Sequence, residues 1–196
     1  MSKAEVTKAL IIRSSAKLFN QKGYAGSSLS DIMQATGLKK GGIYNHFKSK
    51  DEIALAAFDY AVSLVQQRTW EVVRTQKSAI ARLQALLDNH LDYLENPPLT
   101  GGCPIMNTAI ESDDAHPKLR HKAMSAMESW HSLIVKIVRR GIKKSELKSD
   151  IEPETVASFL ISTIEGAIMM SKLYGDGVHL QRAIAVLHSY VLSLAV

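Results

Sequence analysis

The feature that most limits the fold is the length of sequence that runs without a helix breaker. From Ile53 to Arg74 there is no Gly or Pro, and Ala57, Tyr60, Ala61, Leu64 and Val65 recur at helical spacing. The same period appears at Ile11, Ile12, Ser15, Ala16, Leu18 and Phe19, and again at Leu83, Leu86, Leu87, His90, Leu91 and Leu94. Only five prolines and eleven glycines punctuate 196 residues, and no stretch alternates as a strand does. An all-α fold of about nine helices is expected. At this length the chain can bury a core without disulfides or a metal.

Punctuation sets the helix limits. Gly23 closes the first helix, and Ser28 followed by Asp31 resembles a capping box with a shortened acid. A brief helix, Ser28–Thr36, ends at Gly37, and a second spans Lys39–Phe47. Ser49 and Glu52 carry the reciprocal capping signature for the long helix that follows. Asn96-Pro-Pro-Leu-Thr-Gly-Gly102 is a break, with Pro104 suited to the first turn of the next helix. His116-Pro117 opens a helix reaching about Lys144. The last two helices are expected at Glu154–Leu173 and Val178–Leu194.

Charge divides the chain unevenly. Residues 1–50 hold nine Lys/Arg against two acids, +7, whereas residues 51–196 carry −2, so the whole excess of +5 lies in the head. Such clustering suits a polyanion partner, although a solvated lysine-rich face would look the same. The domains are expected at 1–50 and 51–196. One cysteine argues against a disulfide framework and for a reducing, cytoplasmic setting. The longest uninterrupted apolar run, Ile53 to Phe58, is too short to span a bilayer, so no membrane role is expected. No Cys pair, His-Glu-x-x-His, Gly-x-Ser-x-Gly or phosphate loop is present; no metal, cofactor or enzymatic activity is expected.

The two short helices form a helix-turn-helix unit. Its second helix would have to enter a major groove about 12 Å wide, so its leading turn needs small residues. Gly41-Gly42 supplies them, at about 1 kcal/mol each relative to alanine in a helix. Close approach to a partner would account for that cost; a surface loop at 39–42 is the alternative.

Three stretches carry a family resemblance: Leu18-Phe-Asn-Gln-Lys-Gly-Tyr24, Ser27-Ser-Leu-Ser-Asp-Ile32, and Thr36-Gly-Leu-Lys-Lys-Gly-Gly-Ile-Tyr-Asn-His-Phe-Lys-Ser-Lys-Asp-Glu52. They resemble the amino-terminal domain of TetR-type transcriptional repressors. The match is most specific at Gly41-x-x-Tyr44-x-His46-Phe47-x-Ser49-Lys50. The family often has Val-Ser where Leu38-Lys39 stand, and Thr or Ser at Gly42, which removes one contact and adds a charge. The rest of the chain resembles the family in layout only.

The resemblance implies a ligand-responsive DNA-binding regulator, a repressor released from a palindromic operator. It implies phosphate contacts from Ser27, Ser28, Tyr44, His46 and Lys50, and base-edge reading by Lys39, Lys40, Gly42 and Asn45, with Gly41 allowing close approach. Tyr44 could instead be a core aromatic, and His46 a helix-end cap. The last two helices would pair with those of a second copy in a homodimer. An apolar or amphipathic inducer would lie among Leu91, Met106, Ile110, Met127, Trp130, Ile134 and Ile164. His90 and His131 could supply polar contacts. Cys103 reads as a small buried side chain, with a redox-responsive thiol as the alternative. A helical ligand or redox sensor whose head no longer recognises DNA is the competing reading.

Overall fold

A computed structural model describes residues 2–196. Nine helices are present among them: α1 (Lys3–Lys22), α2 (Leu29–Thr36), α3 (Lys40–Tyr44), α4 (Lys50–Arg74), α5 (Ala79–Asp92), α6 (Pro104–Ser112), α7 (Pro117–Lys143), α8 (Pro153–Tyr174) and α9 (Val178–Ser193). The described residues include no strand, only an isolated bridge between Leu147 and Ala195. The expected all-α architecture is what the chain adopts. The largest difference is α3, which is shorter than the expected Lys39–Phe47.

Caps explain the limits. Ser28 and Asp31 form a complete capping box at α2, and Gly37 ends that helix in the left-handed conformation. At α4 the reciprocity is shifted by one residue. Ser49 Oγ accepts the Glu52 amide, but the Glu52 carboxylate accepts from Lys48 N rather than Ser49 N. Gly175 closes α8 with φ 76°, and the buried Ser171 hydroxyl accepts the Leu180 amide at 2.9 Å, tying the start of α9 to α8.

The chain packs as two compact units. One comprises residues 1–65 with 99–126, the other 66–98 with 127–196. In the first, Ile11, Ile32, Ile43, Phe47 and Ile53 form a core beneath α2 and α3. Ala16, Ala57 and Ala61 form a second, smaller cluster, which binds the first half of α4 to α1. In the second unit α9 packs on both α5 and α8, around Leu83, Leu87, Ile134, Leu160, Ile164, Leu180 and Leu187. By length and composition α8 could cross a membrane. Here Val156, Ala157, Leu160, Ile164 and Ala167 instead face the core of this unit.

His90 lies inside the second unit, stacked on Trp130 at 5.1 Å, with Nδ1 2.8 Å from the Leu86 carbonyl. Burial pushes its imidazole down to about 4. The unfolded chain takes up this proton near pH 6.5 and the folded chain only near 4. Stability is therefore complete above pH 6.5 and falls as pH drops toward 4, by roughly 3 kcal/mol. Urea unfolding at pH 7 and pH 4 measures the loss, and His90→Gln is expected to remove this part of it.

Candidate nucleic-acid interface

The α2–α3 unit is built from its core outward. Ile32 and Ile43 are fully buried and Phe47 is 5% exposed, which fixes both short helices on α1 and α4. Between them, Thr36 Oγ donates to the Ile32 carbonyl and accepts the Leu38 amide, holding the turn. Lys39 is the extended residue before α3. With Ile43 inward, Lys39, Lys40, Gly41, Tyr44 and Asn45 face solvent, while Gly42 and His46 are half-buried. Tyr44 is 44% exposed, so its ring is not a core aromatic; the Lys40 ammonium lies 5.8 Å from it.

The protein interior does not require the paired glycines. A side-chain carbon on Gly41 would meet nothing within 4 Å, and one on Gly42 would touch only the Leu38 side chain at 3.7 Å. Neither has the positive φ that favours glycine. The roughly 1 kcal/mol each costs a helix has no return inside this chain.

Two expected phosphate ligands turn inward. Ser27 is 1% exposed; its hydroxyl donates to the Gly23 carbonyl at 2.6 Å and its amide to the Tyr24 carbonyl at 3.3 Å. Its donors are used within the loop, so phosphate contact from Ser27 does not fit this geometry. The Lys50 ammonium donates to the Tyr24 and Ser27 carbonyls at 2.7 and 2.8 Å and sits 4.0 Å from the Tyr24 ring. Lys50 therefore fastens the loop before α2, with one ammonium hydrogen left over. Ser28 stays exposed, but its hydroxyl is committed to Asp31. With the Asp31 amide taken by the Ser28 hydroxyl, the amides of Leu29 and Ser30 are the leading ones of α2 that remain for an anion. Hydrogen bonds from Ser28 and Lys22 hold the Asp31 carboxyl well below the usual range.

The same loop is gripped from the other side. The Glu111 carboxylate accepts the Tyr24 and Ala25 amides at 2.7 and 2.8 Å. The Tyr24 hydroxyl donates to Asp51; burial, then this bond, pushes the phenol up to about 12. Asn20 Nδ2 donates to the Thr100 and Gly102 carbonyls, and Asn107 Nδ2 to both Asn20 oxygens and to the Gly101 carbonyl. These residues were not visible as a site in the sequence. Gly23 and Gly101, both at positive φ and both against these partners, were the only trace.

The expected inducer residues fall in both units. Met106 and Ile110 belong to the first unit and Leu91, Met127, Trp130, Ile134 and Ile164 to the second. Ile110 is 68% exposed, on the solvent side of α6, which does not suit a pocket wall. Ile134 and Ile164 are fully buried in the core of the second unit, and Leu91, Met127 and Trp130 pack against that core. His131 is half-buried, its Nε2 3.4 Å from the Ser158 hydroxyl. Cys103 is half-buried at the N-cap position of α6.

A short exposed helix held over a small apolar core, on a basic head, defines a helix-turn-helix DNA-binding protein. Comparison with known proteins agrees. Residues 11–57 match the family described as bacterial regulatory proteins, tetR family, and residues 79–187 match the tetracyclin repressor-like C-terminal domain. A TetR transcriptional regulator from Chloroflexus aurantiacus is 41% identical, with a TM-score of 0.96 over 100% of this chain and 98% of that one. A TetR-family regulator from Cytophaga hutchinsonii is 34% identical, with a TM-score of 0.92 over the same shares. The HTH-type transcriptional repressor DhaR of Mycobacterium sp. is 26% identical over 83% of this chain and 81% of its own length. The chain belongs to the TetR family of bacterial transcriptional regulators.

Proposed function

We propose that this regulator is a cytoplasmic, non-enzymatic repressor. It binds a palindromic operator as a homodimer and is released when a small molecule occupies its larger domain. The observation that carries the DNA reading is the exposed Lys39–Asn45 face with two glycines that nothing inside the chain requires. Lys39, Lys40 and Asn45 are proposed to read base edges. Gly41 and Gly42 let the backbone come close, and Tyr44 and His46 contact the backbone of the duplex. Replacing both glycines by alanine is expected to raise the stability of the fold, by up to about 1 kcal/mol at each site. The same change is expected to weaken operator binding at least about tenfold, because added carbons stand between helix and groove. Thermal unfolding and fluorescence anisotropy on one preparation test both signs; stabilisation with full affinity would remove the glycine argument.

Support for the dimer comes from α8 and α9. Phe159, Met169, Leu173 and Val186 are exposed on these two helices, more apolar surface than a solvated face carries by chance. Pairing with a second copy would bury it, and a two-fold dimer matches two half-sites. Light scattering is expected to give twice the 21.6 kDa chain mass. A monomer at micromolar concentration would contradict this part.

A ligand releases DNA only if it binds the two conformations with different affinity. The division of labour proposed is a reading head in residues 1–50 and a responding body in 51–196. Leu91, Met127 and Trp130 are the proposed inducer contacts, with His90, stacked on Trp130, as the polar group beside that ring.

A further inference from the structure

The first two turns of α1 extend beyond the core that the rest of this helix serves. No residue from Lys3 to Leu10 is buried; the first buried side chain is Ile11, which packs with Ile32, Ile43 and Phe47. That leaves eight residues, about 12 Å of helix, with no interior to cover. Such a stretch gains little from packing, yet it is held in shape. Ser2 and Glu5 form a complete capping box at its start, and the Thr7 hydroxyl donates to the Lys3 carbonyl at 2.9 Å.

Lys8 marks where the inward stripe of α1 changes character. It lies one turn before Ile11, on the side of the helix that Ile11 and Ser15 continue inward. Its ammonium sits 5.5 Å from the centre of the Phe47 ring. Phe47 is almost buried, three residues beyond Tyr44 and next to His46, so Lys8 brings a charge from α1 to the rim of the α3 face. The stem of a lysine covers such a ring while the ammonium stays in water. The charge is not spent inside the chain. Among the described residues no carboxylate lies within ion-pair distance of Lys8. The one acid of α1, Glu5, accepts the Ser2 amide at 2.7 Å. Lys22 and Lys50 differ: the first pairs with Asp31, the second with the loop carbonyls.

We propose that Lys8 is a phosphate contact, and that α1 thereby forms part of the DNA interface. Its partner is a backbone phosphate on a strand bordering the groove that α3 enters. Phosphate rather than a base edge follows from position and chemistry. Lys8 stands beside α3 instead of on it, and its ammonium is a point charge without the fixed fork that matches a base. The role rests on the DNA-binding reading and adds to it a contact from outside the helix-turn-helix unit.

A phosphate contact supports binding to every sequence alike, whereas a base contact or a damaged α3 changes preference. Lys8→Met keeps the stem over Phe47 and removes the charge; Lys8→Gln replaces it should the first lower the unfolding midpoint. Anisotropy titrations of the full-length protein use two probes, an operator recovered by selection from genomic fragments and a random-sequence duplex. The same loss is expected on both, about tenfold near 0.15 M salt. The slope of log affinity against log salt is expected to flatten by about two for the dimer, one per head. Lys8→Arg is expected to restore affinity and slope. Lys17→Met is the control: the same charge is lost about two and a half turns on, at the opposite side of α1. It is expected to move the slope by less than half as much. An unchanged slope in a folded Lys8 variant, or a flattening matched by Lys17→Met, would overturn the contact. A larger loss on the operator than on the random duplex would overturn the choice of phosphate. A parent that prefers no duplex would overturn the regulator reading instead, and the random-duplex slopes would still decide Lys8.

Discussion

Changing Lys40 and Tyr44 together to alanine is expected to lower operator affinity roughly a thousandfold, down to the level of unrelated DNA. The unfolding free energy is expected to stay within about 0.5 kcal/mol of the parent, as exposed substitutions usually do. Both side chains are exposed, and the buried residues beneath them, Ile43 and Phe47, are untouched. The size of the effect comes from symmetry. Each contact is worth about 1 kcal/mol or more, and a dimer makes it twice. The salt dependence is expected to flatten too, because losing one lysine per head releases about two fewer counterions. Anisotropy titrations at several salt concentrations measure both. An unchanged slope would mean that Lys40 does not lie on the phosphates or the bases.

The second large effect is on stability. Gly101→Ala is expected to cost about 3 kcal/mol or more, read as a lower urea midpoint at unchanged slope. Gly101 has φ 115°, a conformation that side chains resist. A carbon added there would stand 2.5 Å from the Asn20 carbonyl oxygen and 2.8 Å from its carbon, both backbone atoms that cannot swing aside. The site is also the hub of the Asn20 and Asn107 hydrogen bonds, so displacement breaks several of them together. The contrast with Gly41 is direct. One glycine is required by its neighbours and loses stability when changed; the other has no neighbour and gains it.

That contrast also marks how far the sequence could be read. Helix number and type were legible because apolar periodicity and caps act locally: Ser28 with Asp31, Gly37 and Gly175 stop or start helices through groups within a few residues. The reading face was legible for the same reason, since one turn of helix decides that Ile43 goes in and Tyr44 out. Ser27 and Lys50 were assigned outward and are found inward. Their partners, Gly23, Tyr24 and each other's loop, depend on how α4 meets the end of α1. The grouping of residues 99–126 with the head was not legible either. It rests on contacts 80 or more residues apart, Asn20 with Thr100 and Tyr24 with Glu111, and no local pattern encodes such a distance. Ile110 fits the apolar period of α6 yet faces solvent, because a nine-residue helix need cover only one side.

The α2–α3 face is proposed to recognise a particular two-fold DNA sequence. Selection of fragments from the source genome by the purified protein, followed by footprinting of the recovered DNA, tests it most directly. The expected result is enrichment of a palindrome protected over two half-sites, spaced by whole helical turns of about 10–10.5 base pairs, and lost with Lys40→Ala/Tyr44→Ala. Fragments without a shared palindrome, or the same palindrome recovered by that double variant, would contradict it.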